Sequence, residues 1–176
     1  MRRIRYAVAM SLDAYLAGPN GEYDWILMDP EIDFAAIYSR YDTLLMGRRT
    51  FEVAASGGGG GSMDGMKVVV VSRTLRPQDH PGVTIISENL KESLTRLREQ
   101  PGKDIWLFGG GSLFRSLLDI QMVDTVEVAV EPVLIGGGIP LLPPPAPRVR
   151  LKLVGNKVYK KTGIMSLEYA IEYGQT

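Results

Sequence analysis

The sequence predicts an α/β domain whose central sheet is mostly parallel and ends in an antiparallel hairpin. Short apolar runs, such as the valine-rich segment 67–71, are typical of buried parallel strands. These runs alternate with segments that have the apolar spacing of helices, which is the order expected of a βαβ sheet. Two long β-prone runs at 149–159 and 164–173 finish the chain, and Lys161-Thr162-Gly163 between them predicts the hairpin turn.

The first third of the chain begins with an extended segment. Residues 4–11 alternate and are β-prone, and 12–17 continue extended until a Gly-Pro-Asn-Gly turn at 18–21. Apolar side chains at helical spacing predict a helix over 32–41. A buried strand at 43–46, a short helix at 48–55 and a mobile glycine-rich loop at 56–62 follow.

The rest of the chain repeats the pattern of strand, turn and helix. Asn89 is a good N-cap candidate for a helix that Pro101-Gly102 closes. A Gly- and Pro-rich loop occupies 131–147. The predicted strands are 67–71, 83–87, 104–108 and 125–130, and the predicted helices are 90–100 and 112–119.

Composition excludes several classes of protein. The chain has 20 basic and 20 acidic residues, and this neutrality argues against a nucleic-acid partner. It has no cysteine and one histidine, His80 in a polar turn, which argues against zinc sites, cysteine nucleophiles and Ser-His-Asp triads. No segment is long and apolar enough to cross a bilayer, so we expect a cytoplasmic protein with no metal.

Two strand–glycine–helix segments have the form that phosphates favour. Gly47 precedes Arg48, Arg49 and Thr50 at a helix start, where backbone N–H groups and guanidinium groups can bind an anion. The alternative is an ordinary helix start with two solvated arginines. Gly109, Gly110 and Gly111 precede Ser112 at a second helix start, without the spacing of a Rossmann or P-loop motif. A tight turn needs one glycine, so the triplet suggests close approach of a ligand to the backbone.

A third phosphate candidate follows the valine strand. Ser72 and Arg73 lie where a parallel strand ends, and ligands of α/β sheets bind beyond the carboxyl ends of strands. An arginine at such a position suits a phosphate monoester, such as the 2′-phosphate of NADPH. The alternative is a solvated arginine in a turn.

Taken together, these segments resemble the dihydrofolate-reductase-like superfamily, most closely the C-terminal reductase domain of the bifunctional riboflavin-biosynthesis deaminase-reductase. Phe108 stands where the riboflavin branch often has an acidic residue, and Ala14 where glycine is common. The zinc-binding residues of the deaminase half are absent, so residues 1–176 are expected to be a single reductase domain. The resemblance rests on residues 9–17, 42–52, 68–73, 107–113 and 123–141 in this order.

The resemblance implies a three-layer fold, NADPH as the cofactor and a homodimer. It implies that Ala9 and the 16–20 stretch flank the nicotinamide and that Ser72 and Arg73 meet the 2′-phosphate. The two glycine segments would hold the phosphates from either side. The implied cofactor residues are Ala9, Leu16, Gly18, Asn20, Gly47, Arg48, Arg49, Thr50, Ser72, Arg73, Phe108, Gly109, Gly110, Gly111, Ser112 and Leu113.

Reduction of a C=N bond requires a proton as well as a hydride. Asp33 resembles the acidic residue that dihydrofolate reductases place at this point, and it is the candidate proton relay. The alternative is a carboxylate that complements a helix dipole, and Glu31 and Asp13 are rivals. Asp13 and Trp25 are the candidate substrate contacts, although Asp13 could instead hold the turn after the first strand.

The preferred function is NADPH-dependent reduction of a ribosylamino-pyrimidine, with a dihydrofolate-type pterin as the second substrate class. An NADPH-binding module without turnover and a phosphosugar-binding regulator are the alternatives outside catalysis.

Overall fold

The computed structural model describes residues 1–56 and 65–174, so the glycine tract 57–61 lies outside the described residues. The described residues form ten strands and four α-helices. The strands are β1 Ile4–Ser11, β2 Tyr15–Ala17, β3 Tyr41–Gly47, β4 Lys67–Val71, β5 Val83–Ile86, β6 Asp104–Leu107, β7 Thr125–Glu131, β8 Ile139–Pro140, β9 Arg150–Val158 and β10 Met165–Glu172. The helices are α1 Phe34–Tyr38, α2 Arg48–Ala54, α3 Leu90–Glu99 and α4 Gly111–Asp119.

Eight strands form the central sheet, in the order β5-β4-β3-β6-β1-β7-β10-β9. The six strands from β5 to β7 are parallel, and β10 and β9 continue the sheet as an antiparallel hairpin. The mostly parallel sheet and its terminal hairpin, both predicted from the sequence, are therefore confirmed. Strands β2 and β8 form a separate two-stranded sheet beside it.

Helices cover the sheet on both faces and make three layers. On one face, Leu94 of α3 and Leu117 of α4 pack into a core with Ile4, Tyr6 and Leu107. On the other face, Phe51 of α2 packs with Met46, Val70 and Trp106, and Ile37 of α1 joins this second core. We call the face that carries α1 and α2 the α1 face.

Three sequence predictions need correction. The helix predicted over 32–41 is only α1, Phe34–Tyr38, because Tyr41 is the buried first residue of β3. Asn89 precedes α3, but its side chain makes no capping hydrogen bond and its backbone is left-handed (φ 48°). Glu131, which the sequence places in a loop, is the last residue of β7. Within the described residues, no helix is long and apolar enough to span a bilayer.

Candidate active site

The two glycine segments meet at one crevice in the sheet. Strands β3 and β6 are neighbours, and the chain leaves them in opposite directions, through α2 toward β4 and through α4 toward β7. A β-carbon placed on Gly110 would lie 3.3 Å from Thr50 Oγ1, and one placed on Gly47 would lie 3.9 Å from Leu113 Cβ. The starts of α2 and α4 therefore lie side by side at a topological switch point, where open α/β sheets bind ligands.

The backbone conformation and the packing of the protein itself explain why the triplet consists of glycines. Gly109 and Gly110 have positive φ angles of 71° and 88°, which disfavour other residues. A β-carbon on Gly111 would lie 2.6 Å from the carbonyl oxygen of Pro140 and 2.9 Å from that of Leu141. Backbone conformation and internal packing thus account for the triplet, so the number of glycines alone does not indicate a bound ligand.

Gly47 differs from the triplet because the space beside it is open. Its φ of −83° suits any residue, and a β-carbon there would meet Leu113 only at ordinary contact distance. Arg49 of the same helix and Asn20 line an open surface depression of about 480 Å³ that Ile139 borders from β8. Arg48 pairs with Glu52 of its own helix at 3.0 Å on the exposed surface.

Four more implied cofactor residues lie on or directly after the elements next to the crevice, β4 and α4. Ser72 is buried and its Oγ accepts hydrogen bonds from the N–H groups of Thr74 (3.2 Å) and Leu75 (3.1 Å), so it closes the turn after β4. Arg73 is exposed at that turn, and β4, which the turn follows, is the neighbour of β3 in the sheet. At the start of α4, Ser112 is exposed, whereas the Leu113 side chain packs in the core and leaves only its backbone for a ligand.

The middle of the sheet on the α1 face carries small side chains that are only half-buried, and we call the space above them the cleft. β1 is an interior strand, yet Ala7 and Ala9 on it are only half-buried, and Ala129 lies beside Ala9 on β7. These small, partly exposed side chains form a floor on the α1 face, where Ala7 packs against the second core. Phe108 borders this floor, half-buried and edge-on to Trp106 with ring centroids 5.1 Å apart.

The 18–33 loop lies beside the cleft and is closed by its own hydrogen bonds. Gly18 N–H donates to the Glu22 carbonyl at 2.8 Å, and the Glu22 carboxylate accepts from Asn20 N–H and from the Asn20 side-chain amide. The indole N–H of half-buried Trp25 donates to the Glu22 carbonyl at 3.2 Å. Leu16, before the loop, is half-buried in β2.

The two acidic residues predicted to contact substrate or move a proton are already engaged. Asp33 is exposed, and its carboxylate caps α1 by accepting the Ala36 N–H at 2.9 Å. The Asp13 carboxylate accepts the N–H groups of Ile135 (3.2 Å) and Gly136 (2.8 Å). A hydrogen bond from Ser11, with these two, holds the pKa of Asp13 below its ordinary value despite partial desolvation. These placements favour the structural alternatives, a helix cap and a loop anchor.

Sequence reasoning missed two buried carboxyls near the cleft. Asp29 is 3% exposed and accepts hydrogen bonds from Glu31 N–H and from Thr162 Oγ1 in the hairpin turn. Burial opposes its charge, but these hydrogen bonds hold the pKa of Asp29 below its ordinary value. Glu131 is 1% exposed, and burial raises its pKa. Within residues 1–56 and 65–174, no group of three or more His, Asp or Glu side chains is placed to hold a metal.

Comparisons with known proteins agree on the fold and the family. The uncharacterized protein YyaP of Bacillus subtilis is 32% identical, with 96% of this chain and 94% of that protein covered. Among solved structures, a Shewanella sp. PV-4 protein assigned by name to riboflavin biosynthesis has a TM-score of 0.81 at 24% identity, covering 98% of this chain and 99% of that one.

Two more distant structures share this fold. A Thermotoga maritima diaminohydroxyphosphoribosylaminopyrimidine deaminase/5-amino-6-(5-phosphoribosylamino)uracil reductase has a TM-score of 0.70 at 17% identity, covering 97% of this chain and 57% of that one. Enterococcus faecalis dihydrofolate reductase, complexed with NADP(H), has a TM-score of 0.68 at 16% identity, covering 97% of this chain and 96% of that one. The family model of the RibD C-terminal domain matches residues 2–164, and the chain therefore belongs to the RibD C-terminal domain family.

Proposed function

We propose that this protein is an NADPH-dependent reductase that transfers hydride to a ribosylamino-pyrimidine, like a 5-amino-6-(5-phosphoribosylamino)uracil reductase. The observation that carries the proposal is the adjacency of two features: the crevice between β3 and β6, and the open floor of small side chains on neighbouring β1. Hydride transfer requires a dinucleotide and a planar acceptor side by side, which these two adjoining spaces can hold. Membership of the RibD C-terminal domain family supports the same reaction class.

The residues around the crevice fit a dinucleotide phosphate. Gly47 leaves its backbone open, Thr50 presents a hydroxyl, and the nine-residue helix α4 begins beside them with free N–H groups. Exposed Arg73 would bind the 2′-phosphate that distinguishes NADPH from NADH. Ala9, Leu16, Gly18 and Asn20 border the space for the nicotinamide. NADPH, when bound there, supplies the hydride from C4 of that ring.

The cleft suits a flat ring as acceptor. Its floor consists of alanine side chains, half-buried Phe108 directly follows β6, and Trp25 lies in the adjoining loop. Aromatic side chains beside a flat apolar floor favour stacking of a planar heterocycle.

A dihydrofolate-type pterin is the second candidate substrate, and two observations favour it. Phe108 is aromatic where the riboflavin branch often has an acid. The adjoining segment 22–33 carries five acidic residues and no basic one, which disfavours a phosphate group on that side of the cleft. The five are Glu22, Asp24, Asp29, Glu31 and Asp33.

The test combines binding with turnover. Isothermal titration should show binding of NADPH that is stronger than binding of NADH, and the absorbance at 340 nm should fall with a phosphorylated pyrimidine, its dephosphorylated form or dihydrofolate. NADPH binding without oxidation of NADPH by any acceptor would instead indicate a non-catalytic module. Preference for a phosphosugar over NADPH would indicate a regulator, and no affinity for NADPH would refute the proposal.

We further propose that residues 1–176 act as one reductase domain in the cytoplasm and assemble as a homodimer through β9. In the part of the chain that the structure describes, β9 has a free edge, and Leu151, Leu153, Val154 and Val158 on it are 44–54% exposed. An exposed apolar edge strand invites pairing with another copy. Light scattering after gel filtration should give a dimer, and Leu153→Lys should give a monomer.

A further inference from the structure

Glu131 lies at the end of the cleft floor and points to the same side of the sheet. Residues alternate between faces along a strand, and Glu131 follows Ala129 by two positions. In the β1–β7 ladder, Ala9 lies beside Ala129 and Ser11 lies beside Glu131. The Glu131 side chain thus lies on the α1 face with the alanine floor, at the next position along β7 after Ala129. Ser11 is fully buried at this point, so the end of the floor is enclosed.

The carboxyl of Glu131 has few partners for a group so deeply buried. Its Oε2 accepts the Leu27 N–H from the 18–33 loop at 3.2 Å, and within the described residues it has no ion pair. A carboxylate taken out of water without a cation is disfavoured, so burial shifts the equilibrium of this group toward the neutral acid. Burial raises the pKa of Glu131 and the Leu27 N–H offsets this only in part.

Four other carboxyls near the α1 face are already engaged in hydrogen bonds or ion pairs. Asp13 and Asp29 each accept two hydrogen bonds, and the pKa of each is below its ordinary value. Glu127 pairs with Arg5 at 2.8 Å, and Asp33 caps α1 at the surface. The elements around Glu131 also carry Glu22 and Asp24 in the loop and the Lys161–Glu31 pair, which lies 3.5 Å apart. Among these groups, Glu131 is the carboxyl that combines burial with a largely unused acid group.

We propose that Glu131 is the catalytic acid of the site and that it contacts the N–H edge of a pyrimidine or pterin ring bound on the alanine floor. The inference rests on the proposed function for its hydride step. A protonated carboxyl at the end of the floor donates one hydrogen bond and accepts another, which matches the adjacent ring nitrogen and amino group of an aminopyrimidine.

The chemical step balances with the groups already named. The C=N bond of the substrate accepts a hydride at carbon from NADPH and a proton at nitrogen from Glu131. One C–H and one N–H bond form as the π bond breaks, NADPH is oxidised to NADP⁺, and the Glu131 carboxylate regains a proton from water. A general acid of this kind contributes roughly 10²–10⁴ in rate.

The experiment uses Glu131→Gln, which keeps the size of the side chain and an oxygen for the Leu27 N–H. The rival is Asp33→Asn, and exposed Glu88→Gln is the matched control. We expect Glu131→Gln to bind NADPH within about twofold of the wild type but to lose at least about 100-fold in kcat. Activity of the wild type should fall as pH rises through the pKa of Glu131, and this limb should disappear in the variant. Glu131→Asp, which keeps the acid, should recover part of the rate.

A second readout does not depend on turnover. 2,4-Diaminopyrimidine serves as the probe, and its affinity for the protein should fall at least about tenfold in Glu131→Gln, while Glu88→Gln leaves it unchanged. If none of the acceptors supports oxidation of NADPH by the wild type, the proposed function fails. The titration with 2,4-diaminopyrimidine then decides alone whether Glu131 binds the ring. Equal probe affinity in the wild type and Glu131→Gln, no probe binding by the wild type, or a larger loss of rate in Asp33→Asn would each overturn the inference.

Discussion

Gly111 and Gly47 provide a matched pair that separates packing from ligand binding. A β-carbon on Gly111 would lie 2.6 Å from the Pro140 carbonyl oxygen, 0.8 Å inside the 3.4 Å at which ordinary contact begins. Leu141 O and Pro143 Cδ, both at 2.9 Å, close the other sides. These neighbours are backbone or ring atoms, so relief requires movement of the chain. Overpacking of this kind costs about 1–3 kcal/mol, and the helix propensity of alanine returns up to about 1 kcal/mol.

With the middle of that cost, about 2 kcal/mol, Gly111→Ala should destabilise the protein by about 1–2 kcal/mol. For a chain of this length, the expected decrease in Tm is about 2–8 °C in thermal denaturation followed by circular dichroism. Gly47→Ala should change Tm little, because its β-carbon would meet Leu113 only at 3.9 Å. It should nevertheless weaken NADPH binding at least about tenfold, since a methyl group would occupy the approach of the phosphates. A Tm of Gly111→Ala at or above that of the wild type would refute the packing argument. Unchanged NADPH affinity in Gly47→Ala would show that the phosphates do not bind beside Gly47.

Three further predictions concern charge, the loop and the cofactor. Arg5→Met should destabilise the protein by about 2–4 kcal/mol at pH 7, because buried Arg5 pairs with Asp104, Glu127 and Glu168 at 2.6–3.0 Å. Burial opposes the charge on Asp104, but Arg5 holds the pKa of Asp104 below the ordinary 3.8. The stability from this ion pair is therefore present above pH 3.8 and is lost as pH falls through the lowered pKa. Urea unfolding should show the free energies of unfolding of the two proteins converging in acid, and a difference that stays constant with pH would contradict the network. Thr162→Val removes the hydroxyl that binds Asp29 and should raise proteolytic cleavage within the 18–33 loop roughly fivefold, whereas unchanged cleavage would show that the loop is held elsewhere. Arg73→Gln should weaken NADPH binding about tenfold or more and leave NADH binding unchanged by titration calorimetry, and equal losses for both would exclude a 2′-phosphate contact.

Strands were the part of the fold most accessible from the sequence. The apolar run at Lys67–Val71 is β4 without a change of bounds, since a strand buried on both faces leaves a continuous apolar signature. The glycine turns were placed at the correct strand ends, and their meeting follows from the order of strands in the sheet. The spacing of Tyr41 from Ile37 and Tyr38 predicts a helical residue, whereas its burial at the start of β3 depends on contacts distant in sequence.

The candidate acid was not accessible in this way. Glu131 precedes Pro132 in a Gly- and Pro-rich stretch and looks like a loop residue. Its carboxyl accepts a hydrogen bond from Leu27, 104 positions away, and the carboxylate of Asp13 accepts one from Gly136 at a similar distance in sequence. Gly111 likewise owes its lack of a side chain to Pro140. Local pattern assigns element type, but it does not show which polar groups are desolvated by a distant loop.

The terminal hairpin contributes to the site as well as to the edge of the sheet. Its turn donates the Thr162 hydroxyl to buried Asp29 at 2.7 Å, and Lys161 pairs with Glu31 at 3.5 Å. Together with the Leu27–Glu131 hydrogen bond, these contacts hold the 18–33 loop at three points beside the cleft. The family match ends at residue 164, directly after this turn. A turn that only connected β9 to β10 would need none of these polar contacts. The hairpin therefore also positions the 18–33 loop, which carries Trp25 and whose Leu27 N–H donates to Glu131.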